Sequence, residues 1–74
     1  MIYKYSRCEL LRQITKAAKA AKKMGIESRI SVFKKSKKIA EYNTTTNKIS
    51  DIVISASCIC EDTRPVYRWE LEEI

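Results

Sequence analysis

Residues 6–25 read SRCELLRQITKAAKAAKKMG, and they predict an amphipathic helix from Arg7 to Met24. The segment consists largely of Ala, Leu, Lys, Arg and Gln, all of which favour the helical state. Ser6 occupies the expected N-cap position and Glu9 follows three residues later, which is the pattern of a capping box. The rest of the chain must therefore supply the surface on which this helix packs.

Two opposite faces of the predicted helix differ sharply in character. The single glycine of the chain, Gly25, follows the helix as a candidate left-handed C-cap. At about 100° per residue, an apolar stripe and a basic row fall on opposite sides. The stripe consists of Leu10, Leu11, Ile14, Ala17, Ala18, Ala21 and Met24. The basic row consists of Arg12, Lys16, Lys19 and Lys23, with Lys22 beside it.

Beyond Gly25 the hydrophobic pattern takes a period of two, which indicates strands. The polar segment Lys34-Lys35-Ser36-Lys37 is typical of a hairpin tip. The predicted strands cover Ile26 to Phe33, Lys38 to Asn43, Lys48 to Cys60 and Val66 to Leu71, with Ile2 to Tyr5 as a candidate edge strand. Short connections favour hairpins over parallel crossovers. The predicted fold class is α+β: one N-terminal amphipathic helix packed on a small antiparallel β-meander of three to four strands, in one domain over residues 1–74.

Composition argues against catalysis. The 74 residues include no histidine, so a Ser–His–Asp or Cys–His nucleophilic site cannot form within one chain. One glycine is too few for a Gly-rich phosphate loop. We therefore expect a binding protein without a cofactor rather than an enzyme.

The cysteines indicate a reducing compartment. There are three of them, Cys8, Cys58 and Cys60, so at least one cannot be paired within the monomer. A zinc site needs a fourth ligand, and no histidine can supply it. We expect buried, reduced thiols and no metal. The N-terminal residues show no apolar signal segment, and no apolar run approaches the length of a membrane span, so we expect a cytoplasmic protein without a membrane partner.

Charge is strongly uneven along the chain. The net charge is +6, but residues 1–50 carry +10 and residues 51–74 carry −4. The basic charge forms two clusters, the helix row and the hairpin tip. The residues that we expect to contact nucleic-acid phosphates are Arg12, Lys16, Lys19 and Lys23 on the helix and Lys34, Lys35, Lys37 and Lys38 at the tip.

The pattern of the basic row favours phosphate contacts with weak sequence preference. Lysines outnumber arginines ten to five, and lysine acts as a point charge rather than as a bidentate reader of bases. No acid lies between Arg12 and Lys23, so like charges four residues apart repel each other. A helix face that is merely solvated usually mixes signs. Phe33 and Tyr42 are the candidates for stacking on bases or for anchoring a partner.

An alternative is a small regulator or inhibitor that binds a protein target, such as a nucleic-acid-processing enzyme, through its charged surfaces. The lysines would then dock an acidic protein surface, while Glu70, Glu72 and Glu73 form an acidic end of the chain. Tyr67 and Trp69 alternate with Leu71 in a strand pattern, which favours a core position beneath the helix over a surface anchor. A homodimer is compatible with both functions.

Overall fold

The computed structural model describes residues 4–74 as two helices and one sheet of three strands. The elements in chain order are α1 (Arg7–Met24), β1 (Ser28–Lys34), β2 (Lys37–Asn43), α2 (Ile49–Ile59) and β3 (Tyr67–Glu73). The strand order is β2-β1-β3, and both pairings are antiparallel. The predicted α+β class, with an N-terminal helix and an antiparallel sheet, is confirmed.

Helix α1 has the predicted bounds, but its first turn is built differently. Ser6 holds the extended N-cap conformation, yet its side chain makes no capping hydrogen bond. The Glu9 carboxylate instead accepts a hydrogen bond from Arg12, at 3.1 Å, so the expected capping box does not form. At the other end Gly25 has a φ of 69°, which is the left-handed C-cap that only glycine adopts without strain.

The hairpin between β1 and β2 lies where the sequence predicts it. The turn residues Lys35 and Ser36 both have positive φ angles, 50° and 70°, as a two-residue hairpin turn with the twist of its strands requires. The tip is thus a narrow projection at one end of the sheet, and lysines flank it in the chain.

The strand predicted for Lys48 to Cys60 is wrong, because this segment forms helix α2. Ile52 and Ala56 are buried in α2 and Cys60 is buried at its C-cap. Their spacing of four residues fits one face of a helix as well as it fits the alternation of a strand. The helix begins after a turn in which the Asn43 side chain accepts hydrogen bonds from the amides of Thr45 and Thr46.

Helix α2 also changes the topology. β2 and β3 are both antiparallel to β1, so they run parallel to each other on its two sides and α2 connects them. The order therefore differs from a simple meander, in which each strand pairs with the next. The first two residues of the predicted edge strand Ile2 to Tyr5 lie outside the described residues. Tyr5 itself forms an antiparallel bridge with Tyr67, with N···O distances of 2.7 and 3.0 Å.

Both helices pack on one face of the sheet. Tyr67 is fully buried and Trp69 is partly buried against the core, as predicted. Met24, the last residue of the predicted apolar stripe, is 70% exposed instead. The core cluster consists of Leu10, Ile14 and Ala18 from α1, Ile30 and Val32 from β1, Ile52 and Ala56 from α2, Cys60 and Tyr67.

The opposite side of the sheet, which we call the open face, carries paired charges. Residues that alternate with the core positions and lie opposite one another in the register share this face. Arg29 of β1 lies 2.6 Å from Glu41 of β2 and 2.9 Å from Glu72 of β3. Glu41 also pairs with Lys38, at 3.2 Å, and Arg68 pairs with Glu70, at 3.0 Å. The open face is therefore close to neutral.

Candidate nucleic-acid interface

The basic row occupies the outer face of α1. Leu10, Ile14 and Ala18 are buried against the sheet and α2, so the residues on the other side of the helix point to solvent. The first and last members of the row are eleven positions apart in the helix, which places them about 16 Å apart along its axis. All four members, Arg12, Lys16, Lys19 and Lys23, are exposed.

Three lysines of the row are free of acidic neighbours. Arg12 is paired with Glu9, at 3.1 Å, across one helical turn. Within residues 4–74 no carboxylate lies in ion-pair distance of Lys16, Lys19 or Lys23. The row therefore presents unneutralised positive charge to solvent.

The four tip lysines divide into two kinds. Lys34 lies 3.7 Å from the Asp62 carboxylate and sits over the Tyr67 ring, 5.8 Å from its centroid. Lys38 pairs with Glu41 on the open face, at 3.2 Å. Lys35 and Lys37 are exposed, and neither has an acidic partner among the described residues. Only two of the four predicted tip contacts are thus free to meet a phosphate.

Asp62 links the base of the hairpin tip to the loop before β3 through its ion pair with Lys34. Its carboxylate accepts hydrogen bonds from the Arg64 backbone amide, at 2.9 Å, and from the Arg64 guanidinium, at 2.8 Å. These bonds from Arg64, aided by the positive charge of Lys34, hold the pKa of Asp62 well below its usual range. The Asp62 amide in turn donates to the Tyr67 hydroxyl, at 2.9 Å.

The depressed pKa of Asp62 predicts a specific acid sensitivity. An aspartate has a pKa of about 3.9 in the unfolded chain, so a lowered folded-state pKa stabilises the protein fully above about pH 4. That contribution is lost as the pH falls below this value towards the folded-state pKa. In urea titrations the unfolding midpoint should fall more steeply below about pH 4 in the wild type than in Asp62→Asn. Parallel pH profiles of the two proteins would contradict this role.

The two candidate stacking residues lie in different environments. Tyr42 donates its hydroxyl to Ser55 of α2, at 3.1 Å, and its ring packs against the core, so it serves the fold. Phe33 lies on the open face, and the Arg68 guanidinium covers its ring at 4.7 Å from the centroid. The geometry thus favours Phe33 over Tyr42 for contact with a base.

Sequence reasoning missed two basic residues that lie beside the tip. Lys4 and Arg68 join Lys35, Ser36 and Val66 around a shallow depression of about 290 Å³. Pairing of β3 with β1 places Arg68 opposite Phe33, and the bridge between Tyr5 and Tyr67 fixes the backbone next to Lys4. Only strand pairing brings these distant positions together, and no local pattern signals it.

The tip lies beside the end of α1 from which the row extends. The amide of Lys35 donates to the Val66 carbonyl, and Val66 precedes the residue that bridges Tyr5. Because Tyr5 lies just before α1, the tip lies beside the start of this helix. The row extends from there towards Lys23 at the far end of α1.

No protein-family model, no curated protein and no solved structure matches this chain. The functional argument therefore depends on the geometry and charge of its own residues. Within residues 4–74, no helix is long and apolar enough to cross a membrane.

The cysteines do not form a site in the described part of the chain. All three are free, and only Cys60 is buried, so the prediction that Cys8 and Cys58 are buried is wrong. Burial raises the pKa of the Cys60 thiol, which favours its neutral form. Among residues 4–74, no group of three cysteine or acidic side chains is placed to hold a metal ion.

Proposed function

We propose that this protein binds nucleic acid through phosphate contacts made by α1. The observation that carries the proposal is the exposure of Lys16, Lys19 and Lys23 on one helix face without acidic partners among residues 4–74. Lysines arranged in this way neutralise backbone phosphates and release their counterions. Lys35 and Lys37 at the hairpin tip add a second contact region.

Repulsion between the like charges of the row destabilises α1, and binding of a polyanion would remove this repulsion. Lys19 and Lys23 are four residues apart on the helix, and like charges at this spacing destabilise it by a few tenths of a kcal/mol. Glutamates in place of every second lysine of the row would have formed attractive pairs with the remaining lysines, and the helix face would have been equally soluble. A polyanion laid along α1 would neutralise this repulsion, so the sign pattern supports a role in binding.

Weak sequence preference is expected. Lysine ammonium groups contact phosphates without reading base edges, and the only arginine of the row is paired with Glu9. Of the two predicted stacking residues, Phe33 is the better placed for contact with an unpaired base, and its ring is already partly covered by Arg68.

The test is a titration of labelled duplex DNA, single-stranded DNA and RNA, followed by fluorescence anisotropy at two salt concentrations. Each phosphate contact on duplex DNA contributes a log–log salt slope of about −0.9. The three unpaired lysines predict a slope of about −2.7, and release of Arg12 from Glu9 would extend it to about −3.6. Affinity should then fall roughly 40- to 150-fold between about 50 and 200 mM salt.

The fluorescence of Trp69 provides the control that the protein stays folded under each condition. Binding of none of the three nucleic acids at the lower salt concentration would contradict the proposed function. Binding that does not weaken with salt would contradict the phosphate contacts.

A second candidate function rests on an apolar groove between α1 and β3. Met24 and Leu71 are 70% and 46% exposed and line a groove of about 260 Å³. A contiguous exposed apolar patch marks many protein-binding surfaces, so a small regulator or inhibitor of a protein target is the alternative. After nuclease treatment such a protein would still capture one partner from a lysate, whereas a nucleic-acid binder would lose its co-purifying material.

A further inference from the structure

The depression beside the hairpin tip is built from cationic and polar groups. Its lining residues are Lys4, Lys35, Ser36, Val66 and Arg68. Three of them carry a positive charge, one offers a hydroxyl, and none is acidic. Its volume of about 290 Å³ lies near the lower end of the range found for small-molecule sites, so it can admit one terminal group but not a length of nucleic-acid strand.

Two cations without an acidic partner, Lys4 and Lys35, converge in this concave site beside Arg68, which is paired with Glu70 at 3.0 Å. Lys4 and Lys35 are exposed and make no ion pair among the described residues, so nothing there neutralises them. A concave surface also strengthens the field above it compared with a convex helix face. The depression therefore favours the binding of an added negative charge.

Arg68 is held in a fixed orientation at this site. Its guanidinium stacks over the Phe33 ring, 4.7 Å from the centroid, and Nη1 donates to Glu70 at 3.0 Å. A guanidinium presents five donors in a planar fork, and two contacts leave others available. Such a fork matches two oxygens of a phosphate at once, which a lysine cannot do.

We propose that the depression binds the terminal phosphate of a nucleic-acid strand. This inference rests on the proposed function. An internal phosphodiester carries one negative charge and is flanked by two sugars, which hinder its entry into a concave site. A terminal phosphate carries about −1.5 to −2 charges and offers three unhindered oxygens. Three cations and a hydroxyl match that group better than they match an internal linkage.

The arrangement gives the two basic surfaces different tasks. The row on α1 follows the backbone of a strand, and the depression beside the start of α1 receives its end. Phe33 lies beneath the Arg68 guanidinium, 4.7 Å from it, so it is the residue that we expect to contact the terminal base.

The test compares otherwise identical single-stranded oligonucleotides that carry a phosphate or a hydroxyl at the 5′ end, and a second pair that differs at the 3′ end. A hydroxyl-ended strand one nucleotide longer controls for added charge. One to three charge-assisted hydrogen bonds predict about tenfold tighter binding of the phosphorylated strand at one of the ends.

Two substitutions should remove this preference, and a matched one should keep it. Lys35→Ala and Arg68→Gln each remove a cation of the depression, so the affinity ratio should approach one. Lys48→Ala is the matched control, because Lys48 is an exposed lysine at the N-cap of α2 that lies outside both basic clusters and does not line the depression.

The outcomes separate this inference from the proposed function. Salt-dependent binding with equal affinity for phosphate and hydroxyl ends overturns the terminal-phosphate site and leaves the proposed function standing. No binding of any strand overturns the proposed function itself. Tighter binding of a phosphoserine peptide than of either phosphorylated strand overturns the assignment to nucleic acid.

Discussion

Replacing Lys16 and Lys19 together by glutamate is expected to abolish nucleic-acid binding. Loss of two phosphate contacts alone weakens binding roughly 200-fold at about 50 mM salt, from the slope of about −0.9 per contact. The new carboxylates add repulsion from the phosphates, so the measured loss should exceed this value. Anisotropy with labelled duplex DNA at low salt measures it directly.

The double variant should fold normally. Both lysines are exposed, and glutamate is as good a helix former as lysine. The substitutions also create attractive pairs with Arg12 and Lys23 four residues away, so the stability of α1 should rise slightly. An unchanged thermal midpoint with lost binding would show that the effect is electrostatic.

The matched control is Lys48→Glu compared with Lys19→Glu. Each changes the net charge by the same amount at an exposed position, but Lys48 is the N-cap residue of α2 and lies outside both basic clusters. Binding should fall markedly in Lys19→Glu and little in Lys48→Glu. Equal losses would mean that net charge alone governs binding and that the row has no special part in it.

Truncation of Tyr67 is expected to have the largest effect on stability. Its side chain is fully buried between the sheet and the helices, and replacement of a buried aromatic ring by alanine costs about 3–5 kcal/mol. A domain of this size has a total stability of roughly 4–11 kcal/mol. We therefore expect Tyr67→Ala to be largely unfolded or only marginally stable without denaturant. Urea titration followed by the fluorescence of Trp69 measures this.

Tyr67→Phe separates the ring from the hydroxyl. Phenylalanine keeps the buried ring but removes the acceptor of the Asp62 amide hydrogen bond, which contributes about 0.5–1.5 kcal/mol. The unfolding midpoint should fall modestly in this variant and far more in Tyr67→Ala. Similar losses in the two variants would mean that the hydroxyl, rather than packing of the ring, dominates the contribution of Tyr67.

Local signals predict the first half of the fold well. The helix over Arg7–Met24 has caps, composition and periodicity that agree, and the β1–β2 hairpin has a polar tip between two alternating segments. The local sequence signals of residues 49–59 do not distinguish a helix from a strand, because apolar residues spaced by four fit both. The contact that helps to end α2 comes from afar: the Arg7 guanidinium donates to the Ser57 carbonyl, at 3.1 Å.

The same division applies to the candidate site. The row on α1 follows from helical periodicity alone, so its exposure was predictable. The pairing of Lys34 with Asp62 and the meeting of Lys4 with Arg68 depend on the pairing of β3 with β1, which joins residues far apart in the sequence. Sequence spacing has no means of showing which lysines remain free.

The neutral open face and the positive outer face of α1 together give the molecule an electric dipole moment. On that side Arg29, Lys38 and Arg68 each have a carboxylate partner, whereas three lysines on the outer face of α1 have none among residues 4–74. Such a distribution acts as a dipole, so a polyanion exerts a torque on the protein before any contact is made. The polyanion should therefore first contact the protein at α1. Added salt should slow association by weakening this alignment. The open face then trails the encounter, and only its edge at Phe33 and Arg68, beside the tip, meets the ligand.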